Sequence, residues 1–142
     1  MLTAPAFASR SSIPLAESLT ADQQIELIQA SKINLNYGAM CDLPGNPSWG
    51  LPERVFGIPA AGGFLLTDWR ESVPDTFPDG HLDNFRDATD CAGKIRHYLN
   101  RFGELRDRAE ALHAQVLTHH TYANRAVQLI NLLHTYAHRP SD

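Results

Sequence analysis

Glu53-Arg54-Val55-Phe56-Gly57-Ile58-Pro59-Ala60-Ala61-Gly62-Gly63-Phe64-Leu65-Leu66-Thr67-Asp68 is the stretch on which the fold turns. Pro52, just before it, suits the first turn of a helix, where a missing N–H costs nothing. Pro59 removes a donor and crowds the preceding turn, so the helix is expected to be short or kinked. Gly62 and Gly63 close it, because glycine enters a helix C-cap without a Cβ penalty. Phe64 to Asp68 then reads as a continuous apolar strand with a polar exit, the pattern of a buried parallel strand. The exit from such a strand is where open α/β sheets bind ligands.

Working outward, Thr20-Ala21-Asp22-Gln23 has capping-box spacing and starts a helix to about Ser31, with Ile25 and Ile28 on one face. Lys32 to Gly38 alternates apolar with polar and reads as a strand. Residues 39–51 hold Pro44, Gly45, Asn46, Pro47 and Gly50, a loop of the length that compact domains keep for function. Glu71 to Gly80 is turn-rich, with one helical turn at Val73–Phe77, and His81 to Phe85 reads as a third short strand. After an Asp87 cap, three helices follow. Their expected apolar faces are Ala88, Cys91, Ile95 and Leu99; then Leu105, Ala109, Leu112 and Val116; then Tyr122, Ala126, Leu129, Leu133 and Tyr136, with Pro140 as the stop.

Strands alternating with helices argue a parallel α/β sheet. Only two or three strands are legible, against about five or six in a typical sheet. The expectation is therefore a partial Rossmann-like parallel sheet with a helical C-terminal region. Residues 1–19 form an irregular segment, apart from a possible edge strand at Ile13-Pro14-Leu15, and residues 20–142 form the domain.

The 142 residues are 43% hydrophobic and 20% charged, the composition of one ordinary globular domain. A net charge of −4 gives no bulk electrostatic reason to bind nucleic acid or an anionic membrane. No apolar run approaches the roughly 20 residues that span a bilayer. Met1 to Arg10 lacks the basic and apolar regions of a signal peptide. Cys41 and Cys91 have no partner spacing and read as reduced thiols, so a cytoplasmic location is expected.

Asn36, Tyr37 and Gly38 end one predicted parallel strand, and Asp68 ends the next in the same sense. Both places suit a ligand, although a strand-to-loop turn explains the first and a turn cap the second. Arg54 can grip a diphosphate through two bonds, or pair with Glu53 or Asp68. Gly62 and Gly63 permit close approach of a phosphate, or serve only as a helix C-cap. His113, His119 and His120 cluster without a carboxylate or cysteine at ligand spacing, so no zinc site is expected. No nucleophile motif is present.

Three pieces together carry a family likeness: Ser31-Lys32-Ile33-Asn34-Leu35-Asn36, Arg54 to Asp68, and His120-Thr121-Tyr122-Ala123-Asn124-Arg125. In this order and spacing the chain resembles the CgeB-like, group 1 glycosyltransferases from about residue 20 onward. The resemblance implies the C-terminal, donor-binding domain of a GT-B enzyme, in which two Rossmann-like domains face each other across a cleft. The implied ligand is a nucleotide-sugar donor, held without a bound metal or other cofactor because helix N-termini and basic side chains neutralise the diphosphate. The acceptor is implied to lie on a missing N-terminal domain or a partner chain.

The implied donor-binding residues are Asn36, Tyr37, Glu53, Arg54, Gly57, Gly62, Gly63 and Asp68. One departs from the family pattern, which has Glu where this chain has Gly57. A glycine cannot replace two acceptor oxygens, and Glu53, one helical turn earlier, is the carboxylate placed to reach the same region. The His120–Arg125 block reads as structural: His120 fixes a turn, Tyr122 packs inward, and Arg125 bonds nearby carbonyls or acids. The competing readings are a truncated fragment and a degenerate, non-catalytic interaction module.

Overall fold

The computed structural model of the protein describes residues 19–38, Asn46 and residues 49–137. The expected edge strand at 13–15, Cys41, the stop at Pro140 and most of the 39–51 loop lie outside them. Helix α1 (Ala21–Ala30) leads into strand β1 (Asn34–Asn36), then α2 (Arg54–Ala60), β2 (Leu65–Asp68), α3 (Val73–Thr76) and β3 (Asp83–Phe85). Three helices finish the chain: α4 (Ala88–Asn100), α5 (Phe102–His119) and α6 (Tyr122–Ala137). The mixed α/β class and the helical C-terminal region follow the sequence reading.

The strands form one parallel sheet in the order β1-β2-β3. Asn34 lies beside Leu65, Asn36 beside Thr67, and Asp68 beside Phe85, so all three carboxyl ends open on the same edge. The central strand is buried on both faces, which is why Phe64 to Thr67 is a continuous apolar run. Leu65 joins Val55, Val73, Phe77, Leu112 and Val116 in one core cluster. Leu66 joins Phe64, Phe85, Tyr98, Leu105 and Ala109 in another. Helix α5 contributes to both clusters and ties the two sides of the sheet together.

The local signals act as their chemistry requires. Thr20 and Gln23 form a reciprocal capping box on α1. Asp87 accepts from the Thr89 and Asp90 amides at the start of α4. Helix α2 ends on Gly62 at φ +82, with the Gly62 and Gly63 amides bonded to the Pro59 and Ile58 carbonyls.

Two helical expectations are corrected. In α4 the buried residue is Tyr98, and Leu99 is exposed, because the helix turns its Cys91–Ile95–Tyr98 side to the core. In α6 the expected core face is not buried: Tyr122, Leu129, Leu133 and Tyr136 are all exposed. Its helical period is real, but the described residues offer no second surface to cover it. Asn124 Oδ1 accepts the Thr121 amide while Thr121 Oγ1 accepts the Asn124 amide, a reciprocal pair that caps the first turn of the helix. No helix of the described residues is long and apolar enough to cross a membrane.

Candidate functional site

The carboxyl edge of the sheet carries a continuous polar network. Asn36, 2% exposed, ends β1 and turns its amide across to β2. Its Nδ2 donates to Thr67 Oγ1 at 2.9 Å and to Asp68 Oδ1 at 3.4 Å. Its Oδ1 accepts from Arg54 Nε at 2.8 Å, and Arg54 Nη2 donates to the Gly38 carbonyl at 3.2 Å. Asp68 Oδ2 accepts from Arg70 Nη2 at 2.9 Å, and the Arg70 side chain is fully buried. A buried guanidinium needs such a carboxylate, so Asp68 is committed to holding Arg70 and Asn36.

The charges at this edge are therefore asymmetric. Arg70 is neutralised by Asp68, whereas Arg54 is held by an amide and a carbonyl and pairs with no carboxylate among the described residues. Neither sequence alternative for Arg54, a pair with Glu53 or with Asp68, is formed. A cation held by neutral partners is oriented by them without being neutralised.

Glu53 and Gly57 lie on the other side of α2, facing the turn between α5 and α6. They line an open pocket of about 560 Å³ together with Phe56, His120, Tyr122 and Arg125. Glu53 Oε1 accepts from the Tyr122 hydroxyl at 2.9 Å, and that bond raises the Tyr122 phenol above its usual pKa. A Cβ built on Gly57 meets nothing within 4 Å, so the missing side chain of this position has open space in front of it.

The His120–Arg125 block is partly corrected here. Tyr122 does not pack inward; it is 82% exposed. Arg125 does bond a carbonyl, the side-chain Oε1 of Gln128, and it also meets the His120 ring and lies over Phe56. His120 does fix the turn, with its ring against Phe56 and Phe77. Burial, then the Arg125 and His119 charges, hold the His120 pKa below its usual value.

Gly62 and Gly63 stand apart from the other six. Gly63 packs against Ile28 and Asn34, and the Asn34 amide donates to the Phe64 carbonyl, at the amino ends of β1 and β2. The structure thus joins Asn36, Tyr37, Arg54 and Asp68 at one edge, sets Glu53 and Gly57 in the neighbouring pocket, and leaves the two glycines at the opposite end of the sheet.

A second buried cluster escaped the sequence reading. Asp83 accepts from Tyr98 Oη at 2.6 Å and from Arg108 Nε and Nη2 at 2.5 and 3.1 Å. It pins β3 to α4 and α5 at the amino end of the strand. Its residues are far apart in sequence and match no motif, so only their helical faces could have hinted at it. Among the described residues no group of three or more His, Cys, Asp or Glu side chains is arranged to hold a metal ion.

A family model described as glycosyl transferase-like matches residues 7–131. No curated protein and no solved structure gives a significant match.

Proposed function

The chain belongs to the glycosyl transferase-like family, and on that premise we propose that it is the donor-binding part of a GT-B, CgeB-like glycosyltransferase. It takes a nucleoside diphosphate sugar at the carboxyl edge of its sheet. The observation that carries this reading is Arg54: a cation at the strand ends fixed by Asn36 and the Gly38 carbonyl, with no carboxylate partner among the described residues. It receives the diphosphate, and Asp68 and Arg70 hold the strand ends rigid around it.

In the transfer reaction the bond from the anomeric carbon to the diphosphate breaks as the acceptor oxygen bonds to that carbon. Negative charge grows on the leaving diphosphate. A preorganised guanidinium stabilises that charge more than it stabilises the bound donor, which is the condition for lowering the barrier. The residue that accepts the acceptor's proton lies on a second domain or partner chain, consistent with a network here that is already internally bonded.

Backbone NMR of the labelled protein with added UDP, GDP or TDP tests the placement. The reading expects saturable shifts centred on Asn36, Gly38, Arg54 and Asp68. Shifts confined to Gly62 and Gly63, at the far end of the sheet, would overturn it.

A further inference from the structure

Tyr37 is placed one residue beyond β1, in the row of Asp68 and Phe85. Its ring reaches across the end of β2 and stacks on Phe85, with centroids 6.3 Å apart and planes 16° from parallel. Phe85 is 6% exposed, whereas Tyr37 is 78% exposed. The two rings are near-parallel but widely offset, so Phe85 touches the tyrosine at its rim and leaves its ring faces open to water at the carboxyl edge of the sheet.

Folding does not explain this arrangement. A side chain that stays mostly in water contributes little through burial, and Tyr37 belongs to neither core cluster. A tyrosine already held by a neighbour loses little freedom when a planar partner covers it. The flanking groups extend the surface: the Trp69 amide donates to the Phe85 carbonyl, and the Arg86 guanidinium lies 4.8 Å over the Trp69 ring. Tyr37 also follows Asn36, whose Oδ1 accepts from Arg54, so the ring and a guanidinium with no carboxylate partner among the described residues stand at the same strand end, on alternate faces of the sheet.

Resting on the donor-site reading above, we propose that the exposed face of Tyr37 is the stacking platform for the base of the nucleoside diphosphate. Arg54 takes the diphosphate of the same molecule. Stacking is tolerant of base identity, so Tyr37 supplies affinity for a planar base and leaves the choice among bases to polar groups around it.

The test is calorimetric titration of the full chain with UDP, GDP, TDP and inorganic pyrophosphate, using the native protein and the variants Tyr37→Ala, Tyr37→Leu and Tyr37→Phe. Circular dichroism confirms that each variant is folded, which the exposure of the side chain favours. The proposal expects Tyr37→Ala and Tyr37→Leu to weaken the preferred nucleoside diphosphate about 5- to 150-fold, to leave pyrophosphate unchanged, and Tyr37→Phe to bind as the native chain does. Nucleotide binding unaffected by Tyr37→Ala overturns the platform while the donor site stands. Equal weakening of nucleotide and pyrophosphate also overturns it, as a positioning effect. No binding of any nucleoside diphosphate by the native chain overturns the donor site and the platform together.

Discussion

The Tyr122 hydroxyl donates a 2.9 Å hydrogen bond to Glu53 Oε1, joining two residues 69 positions apart. Together with the Arg125 guanidinium over the Phe56 ring, it brings the first turn of α6 to the start of α2. Both partners are exposed, so the bond orders a surface more than it stabilises a core. Tyr122→Phe is expected to leave the thermal unfolding midpoint near the native one and to speed amide exchange in the first turn of α6. Unchanged exchange there would contradict the anchoring role.

Asp83 presents a different balance, because it is buried and serves two donors at once. Asp83→Ala leaves the Tyr98 hydroxyl without its acceptor and the Arg108 guanidinium with only the Gly80 carbonyl in place of a carboxylate. Breaking a buried pair costs about 3–5 kcal/mol, and Arg108 recovers part of this because 34% of its side chain is in water. The expected loss is about 2–3 kcal/mol by urea unfolding. Burial and the bond to Asp83 also push the Tyr98 phenol well above its ordinary pKa. A loss below about 0.5 kcal/mol, typical of a surface position, would show that the cluster does not hold β3.

Gly57 and Gly63 respond in opposite directions to a methyl group. Gly57 is helical, with nothing within 4 Å of a built Cβ, so Gly57→Ala is expected to stabilise by about 0.5–1 kcal/mol. At Gly63 the new Cβ would overlap Ile28 Cγ2 and Asn34 Nδ2. Gly63→Ala is therefore expected to destabilise by about 1–3 kcal/mol. Chemical denaturation of the pair reads both signs, and a loss of stability in Gly57→Ala would contradict the open environment assigned to it.

His120 links stability to pH. Its folded pKa lies below the ordinary value of 6.5 because of burial and the nearby Arg125 and His119 charges. Below 6.5 the unfolded chain takes up a proton that the folded chain resists, so stability is complete above that pH and falls as the pH drops beneath it. The unfolding midpoint is expected to decline from pH 7 to pH 5, and His120→Gln is expected to flatten that decline. An equal slope in the variant would assign the effect elsewhere.

How much of the fold is legible in the sequence follows from the range of the forces involved. Capping, proline and glycine signals act within a few residues, so the bounds of α1, α2 and α4 were readable from Thr20, Pro52, Gly62 and Asp87. The apolar run at Phe64 to Thr67 reported burial on two faces and hence a central parallel strand. Periodicity reports an apolar face but not what covers it, which is why α6 was expected to be buried and is not. Of the candidate site, the placement of Asn36, Tyr37 and Asp68 together was readable because parallel strands all end on one edge. The placement of Gly62 and Gly63 at the other edge was not, because adjacency in sequence to β2 does not say which end of it they meet. The Tyr122–Glu53 and Asp83–Arg108 contacts depend on helix packing that no local pattern encodes.

The most direct test of a donor site at the carboxyl edge is calorimetric titration with UDP, GDP and TDP of the native chain, Arg54→Ala and Gly57→Glu. The expected result is saturable binding of at least one nucleoside diphosphate, weakened at least tenfold, about 1.4 kcal/mol, in Arg54→Ala. Binding seen only in Gly57→Glu would contradict a working donor site in this chain and show that the glycine has silenced it. No binding by any of the three folded proteins would contradict the donor site.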